Sequence, residues 1–317
     1  MTIPMNYQQL VSTLTGGGRW AVLAAGLLTL SACGGGGGGG GTLPTVSPSI
    51  EIDSSKTIST EGLGKQVSYT WDDSKFSSIG STLDAQTKAV LEFDKSDILA
   101  ALTIETTTAT SSPVTTKMSF LGYDQIKSLG ADFWIARNDA SKAIVSNPMS
   151  AAWDYQTFGV WESGLDASGG YYGAMSVGDA SPVSAIASAY GATFTGKVIG
   201  SYVSEGIGKA TLADLTVLFD TGGQTLTFTA TGTRYAENGD VIDLPKLDMR
   251  DQTLTYKPGT SGFSGDLTTT GGLSGNSTGQ FYGPNATELG GVFFLRSASG
   301  LPVETYSGAY GAKRPAP

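Results

Sequence analysis

The chain has 317 residues, 45 of them glycine, with only 15% charged residues and a formal net charge of −9. This composition fits a β-rich exported protein of one or two domains and not a helical cytosolic enzyme, and the acidic balance excludes the basic surface of a nucleic-acid or anionic-lipid binder. No histidine occurs, which excludes Ser-His-Asp triads, histidine general bases and the usual zinc sites; no enzymatic role, cofactor or metal is expected.

At the N-terminus, Arg19 precedes the apolar run WAVLAAGLLTL, residues 20–30. It is too short to span a bilayer of about 30 Å and reads as a secretory signal over residues 1–32. The run ends Leu30-Ser31-Ala32-Cys33, which resembles the bacterial lipobox, and Cys33 is the chain's single cysteine, so an intramolecular disulfide is impossible. Lipidation at Cys33 is expected. Residue 34 is Gly and not Asp, and by resemblance to lipoproteins, where Asp there is a retention signal for the inner membrane, this favours the outer membrane. Eight glycines, 34–41, then TLPTVSPS continue to residue 49. This tether of residues 33–49 has no side chains with which to form a core, and about 15 flexible residues reach about 20 to 25 Å. Loss of residues 1–32 removes one Arg and no acid, taking the formal charge to −10.

Residues 50–147 read as a small, mostly β domain. QVSYTW (66–71), AVLEF (89–93), ILAALTIETT (98–107), TKMSFLGY (116–123) and DFWIARN (132–138) are rich in β-branched and aromatic residues between Ser, Gly, Pro and Asp clusters. SSIGSTLDAQTKAVLEF (77–93) has room for a short helix. Asn147-Pro148 is the candidate boundary.

The second half, 148–314, alternates more cleanly. ATFTGKVIGSY (192–202) places Phe194, Val198 and Tyr202 on one face together with Gly196 and Gly200; Leu215, Val217 and Phe219 share a face, as do Leu226, Phe228 and Ala230 against four threonines. With YQTFGVWE (155–162), GYYGAMSV (170–177), GFSGDL, TGQFY, GGVFFL and YSGAYGA, eight or nine strands recur at hairpin spacing, which predicts a closed antiparallel barrel. Glycines within strands fit a sharply coiled barrel in which aromatics on one strand cover glycines on the next.

In GQFYGPNATELGGVFFL (279–295), Gln280 to Tyr282 end a strand, Pro284 and Asn285 make a turn, and Gly290-Gly291 let the returning strand pass close to a neighbour. Glu288 stands out: beside a tight turn it either accepts hydrogen bonds from the loop amides, locking the hairpin, or contacts a ligand.

GQFYGPNATELGGVF together with SGAYGAKR (307–314) resembles the closing signature of the β-barrel domain of the transferrin-binding protein B family of surface lipoproteins. Gly279, Phe281, Tyr282, Gly283, Pro284, Glu288, Gly290, Gly291, Gly311, Lys313 and Arg314 carry the motif. ATFTGKVIG resembles that domain's earlier strand, and YQTFGVW its opening strand. The resemblance implies an all-β protein: a lipid anchor, a tether, a β-rich handle domain and an eight-stranded antiparallel barrel on the outer face of the outer membrane. It also implies the partners of such proteins: a host protein or small solute as ligand, a TonB-dependent transporter in iron or haem acquisition, and a surface lipoprotein assembly factor. The best-known members carry two handle-barrel lobes, and this chain has room for one.

Other candidates are weaker in pattern. Asp72-Asp73 and Asp248 with Asp251 are carboxylate pairs of the kind polar turns carry; GIGKAT (206–211) lacks the full phosphate-loop spacing and precedes a strand. Without histidine, haem ligation would fall to Tyr or Met, and Tyr171, Tyr172 and Met175 qualify by residue type alone. Ligand contacts are expected on loops 178–190 and 236–251. A structural or adhesive surface protein is the alternative function, distinguished by whether the barrel-end loops expose aromatic and apolar side chains.

Overall fold

The computed structural model describes residues 57–72, 75–94, 99–121, 124–126, 133–147, 153–222, 224–237, 240–298 and 303–315. The signal-like run, Cys33, the tether, Asp73 and Pro148 lie outside the described residues. Nine strands, β1 (Thr57–Asp72), β2 (Lys75–Phe93), β3 (Leu99–Thr108), β4 (Thr115–Leu121), β5 (Asp124–Ile126), β6 (Phe133–Arg137), β7 (Ser141–Ser146), β8 (Gln156–Ser163) and β9 (Gly169–Gly178), form one antiparallel sheet in the order β4-β3-β2-β1-β9-β8-β7-β6-β5. Nine more, β10 (Thr193–Ser204), β11 (Ile207–Phe219), β12 (Thr225–Glu237), β13 (Asp240–Asp243), β14 (Met249–Tyr256), β15 (Gly262–Thr268), β16 (Ser274–Tyr282), β17 (Glu288–Arg296) and β18 (Thr305–Lys313), form the second. Pairing of β11 with β12 closes eight of these into a barrel, and β13 only extends the β12 hairpin.

The first sheet curls because one face is apolar at alternate positions. Leu91 and Phe93 of β2, Leu102 and Ile104 of β3, Phe120 of β4, Trp134 of β6 and Met175 of β9 share one buried cluster. Phe93 and Trp134 belong to strands well separated in the strand order, yet their ring centres lie 5.8 Å apart. The sheet is therefore rolled into a half-barrel around that cluster. The short helix allowed for in 77–93 does not form: Ala85, Thr87, Ala89, Leu91 and Phe93 are buried with a period of two, and the whole segment pairs with β1 and β3. Burial on one face of a sheet rewards that alternation and not a helical period.

The predicted barrel strands face as read. Phe194, Val198, Tyr202, Leu215, Val217, Phe219, Leu226, Phe228 and Ala230 all enter the lumen. Phe281 lies 5.1 Å from Phe219, 5.4 Å from Phe263 and 5.9 Å from Phe194 between ring centres. A 3-10 helix, Val183–Ala189, presses Ile186 and Ala189 into one end of the barrel, and Leu247 enters the same core from the loop before β14. The lumen is thus a packed core and not a container.

Two strands expected to open the barrel do not. YQTFGVWE and GYYGAMSV become β8 and β9, and β8 pairs with β7 and β9, while β9 pairs with β8 and β1, all within the first sheet. Both faces of β8 are apolar, with Phe158 and Val160 on one side and Trp161 on the other. A strand buried on both faces suits the seam between two layers better than the wall of a barrel with a wet exterior.

Glycine works inside the barrel where an aromatic must lie flat on a neighbouring strand. Gly279 and Gly291 are direct cross-strand partners, Gly291 pairs in turn with Tyr310, and a side chain on either glycine would collide with the Tyr310 phenol. Tyr306 covers Gly200 and Phe293 covers Gly308 in the same way. Gly291→Ala should lower stability by about 2 kcal/mol, the order of an overpacked core, because the Thr278 carbonyl also blocks the new methyl and cannot rotate away; the urea midpoint at unchanged slope is the measurement.

Candidate functional site

The closing motif has two faces, and its outer face builds the joint with the half-barrel. Gly290 and Gly311, paired across β17 and β18, face outward, where Gln156 Oε1 lies against both and the Phe158 ring covers Gly311. Val292 and Ala309, one step further along the same face, join Phe158, Val160, Ile199 and Leu212 in a buried cluster shared by both sheets. Phe294 of β17 packs with Val67, Tyr69 and Tyr172 of the half-barrel. The Gln156 amide donates to the Leu289 carbonyl at 3.0 Å. Phe158 alone, fully buried, contributes on the order of 2 to 3 kcal/mol by transfer from water.

Glu288 sits in this joint and is 1% exposed. Its oxygens accept from the Asp154 N–H at 2.7 Å and the Tyr155 N–H at 3.3 Å. The carboxyl therefore holds the segment leading into β8, and not the amides of its own hairpin. That hairpin is closed by other means: the Ala286 N–H donates to the Gly283 carbonyl at 3.2 Å around Pro284, and Gly283 takes φ of 81° against the Tyr155 ring. Burial pushes the Glu288 carboxyl up to about 7, opposed by the hydrogen bond from the Asp154 amide and helped by the Asp154 charge. Lys313, its cross-strand partner on β18, places its ammonium 5.9 Å from the centre of the Trp153 ring.

Polar side chains complete the joint. Tyr282 donates its hydroxyl to the Ser176 carbonyl at 2.9 Å and lies 2.8 Å from Ser176 Oγ; Tyr172 meets Thr305 Oγ1 at 3.1 Å. Burial raises both phenols above their ordinary range. Lys65, 1% exposed, donates to Asp84 Oδ1 and to Asn276 Oδ1 of the barrel, each at 2.6 Å. Sequence reading missed Lys65, because a lysine in a strand otherwise signals a wet face and its partner Asn276 is 211 positions away.

The end of the barrel next to this joint carries the exposed apolar surface. Val183 on the 3-10 helix is 48% exposed and Tyr190 just after it 41%, while Leu218 at the end of β11 is also exposed. The Tyr190 ring stands edge-on to Phe219 at 5.2 Å, so its orientation is set by the core beneath it. Arg314 fastens the helix to the closing turn, donating to the Ser188 carbonyl at 2.5 Å, Ser188 Oγ at 3.0 Å and the Asn285 carbonyl at 2.7 Å. The loop 178–190 foreseen as a contact surface thus contains two exposed large apolar residues. The loop 236–251 contributes Val241, also exposed, at the opposite end.

Other candidates separate. Tyr172 faces the barrel and Met175 the interior of the half-barrel, both buried. Asp248 is buried, accepting from Thr233 N–H and hydroxyl and from Arg250 at 2.9 Å, whereas exposed Asp251 sits at φ of 51° beside Thr229. Among the described residues no group of three His, Cys, Asp or Glu is placed to hold a metal ion, and no helix is long and apolar enough to cross a membrane.

With this geometry in place, residues 250–314 match the family model described as C-lobe and N-lobe beta barrels of Tf-binding protein B. The matched stretch runs from β14 to the end of β18. The match takes in the whole closing motif, from Gly279 through Arg314; the resembling stretches at 155–161 and 192–200 lie outside it. No curated protein matches the chain. Solved structures similar to it include transferrin binding protein B from Haemophilus parasuis Hp5, at 11% identity over 82% of this chain and 77% of that one with a TM-score of 0.43. Another is isotype 1 transferrin binding protein B from serogroup B Neisseria meningitidis, at 14% identity over 83% and 77% with a TM-score of 0.40. At those scores no contact or ligand is transferred from either.

Lys65→Met should be tolerated better than Asn276→Leu. The first removes the buried ammonium, while the second leaves it with the exposed Asp84 alone. A denaturation series should show Asn276→Leu costing about 1 to 3 kcal/mol more, the scale of an unsatisfied buried charged group.

Proposed function

We propose that this protein is a lipid-anchored surface protein of the outer membrane that captures a host protein or solute through the outside of its TbpB-type barrel, in iron or haem acquisition beside a TonB-dependent transporter. On this reading residues 1–32 are removed, Cys33 carries lipid, residues 33–49 are the tether, and a surface lipoprotein assembly factor delivers the chain. The handle extends past residue 147 to include β8 and β9, since their hydrogen bonds run to the half-barrel.

The observation that carries the reading is the apolar surface of Val183, Tyr190 and Leu218 at one end of a barrel whose lumen is full. A packed lumen leaves the outer surface and the loops for ligand contact, and an aromatic residue held rigid from beneath is the kind that anchors a protein interface. A structural or adhesive role draws support from the hydroxyl groups on the outer wall around Leu218: Thr193, Thr195, Thr216, Thr227, Thr253 and Thr255 are exposed on adjacent strands.

Crosslinking on intact cells followed by mass spectrometry distinguishes the two. Recovery of a TonB-dependent transporter supports uptake, and recovery of envelope polymer alone supports adhesion. The double variant Val183→Ser, Tyr190→Ser should lose at least about tenfold in capture with little change in melting temperature, and Cys33→Ala should move the protein out of the membrane fraction. Undiminished capture by the double variant would move the contact surface elsewhere.

A further inference from the structure

One buried cation in the joint is held between a carboxylate and a carboxamide, and the three groups come from three strands of two sheets. Lys65 of β1 is 1% exposed, and its Nζ donates to Asp84 Oδ1 of β2 and to Asn276 Oδ1 of β16, each at 2.6 Å. The Asn276 carboxamide carbon is one C=O bond beyond the oxygen that Nζ touches, which places it within about 4 Å of the amine, close to the separation of a near-attack pair. The same hydrogen bond polarises the carbonyl, and Asp84 is placed to receive a proton from the nitrogen. Apolar side chains line the inner side of this trio: Val67 and Tyr69 follow Lys65 on the same face of β1, and Phe294, the cross-strand neighbour of Asn276, packs with both. Away from bulk water, passing a proton from ammonium to carboxylate neutralises two charges at once and leaves a nucleophilic amine. The outer side is open to solvent, with the Asp84 side chain 72% exposed and Asn276 exposed beside it, so a small leaving molecule has a direct way out. Asp266, exposed and opposite Asn276 on β15, is a second acid at this rim.

We propose that Lys65 and Asn276 join in the folded chain through an intramolecular isopeptide bond, with Asp84 as the catalytic residue that moves the proton. Asp84 takes one proton from the Lys65 ammonium, and the free amine adds its electron pair to the Asn276 carboxamide carbon, forming the Nζ–Cγ bond. The tetrahedral adduct passes a proton from Nζ to Nδ2, the Cγ–Nδ2 bond breaks with its electron pair going to nitrogen, and ammonia leaves. Asp84 then returns its proton to the departing ammonia and is a carboxylate again. In sum, an ammonium and a carboxamide become a secondary amide and an ammonium ion, with no oxidant, reductant or water consumed. The bond ties β1 of the half-barrel to β16 of the barrel across 211 positions of chain, so the two sheets stay joined even when the apolar contacts between them loosen. Folding supplies the proximity, since the two residues meet only when the half-barrel is seated on the barrel.

The test is peptide mapping of the full lipidated chain, purified in detergent, denatured and cut with trypsin. The bond should give one branched species in which residues 57–75, uncut after Lys65, are joined to residues 251–296, within which Pro258 protects Lys257 from cleavage. Its mass should be that of the two peptides less one ammonia. On a denaturing gel the wild type should run ahead of Lys65→Arg, because the link keeps a long loop of the unfolded chain closed. Asp84→Asn should lower the yield of the branched species at least about tenfold, the scale of a lost general acid-base group. Recovery of Lys65 and Asn276 from the wild type in separate, unmodified peptides would overturn the proposal, as would a branched species that persists in Lys65→Arg or forms at full yield in Asp84→Asn. Should Asp84→Asn fail to fold, the wild-type map decides alone: the branched species supports the bond, and linear peptides overturn it.

Discussion

Everything in this molecule leans on three strands, β16, β17 and β18, that are packed hard on both sides. On their inner side the Tyr310 phenol lies over Gly279 and Gly291. On their outer side Gln156 and Phe158 lie over Gly290 and Gly311. A strand alternates its side chains between faces, so a barrel that must be filled within and covered without needs small residues at successive positions on opposite faces. Gly290-Gly291 is that requirement written in two letters. Removing either Cβ serves a different neighbour: one lets the barrel coil around an aromatic core, the other lets a second sheet approach the backbone.

From this follows the division of labour across the chain. The barrel spends its interior on its own stability, with Phe194, Phe219, Phe263 and Phe281 converging near the end that the 3-10 helix closes. One side of its exterior is given to the half-barrel. What remains for a partner is the rest of the wall and the two ends. Only there do large apolar side chains meet solvent in the barrel: Val183, Tyr190, Leu218 and Val241, among the described residues. Recognition in such a design belongs to the outside surface, where substitutions leave the core untouched.

The joint itself is not purely apolar. Lys65, Glu288, Gln156, Tyr172 and Tyr282 are all buried in or beside it, and each finds a partner across the two sheets. Apolar surface supplies adhesion without direction, while these pairings define one seating of half-barrel on barrel, since a shift by one residue would leave several of them without a partner. The cost is borne by Glu288, whose carboxyl is held near 7 by its surroundings.

The sequence by itself determined the strand alternation, the lumen residues from Phe194 to Ala230 and the turn at Pro284, because each rests on the two-residue period or on local backbone chemistry. The closing motif was legible for the same reason: its glycines and aromatics are close together along the chain. Tertiary structure alone decided that β8 and β9 belong to the half-barrel, that 77–93 is extended, and what Glu288 and Lys65 hold. Those outcomes depend on partners far away in the chain, Asp154 for Glu288 and Asn276 for Lys65. Local pattern shows that a strand has an apolar face; which surface covers that face is settled only when the two sheets meet.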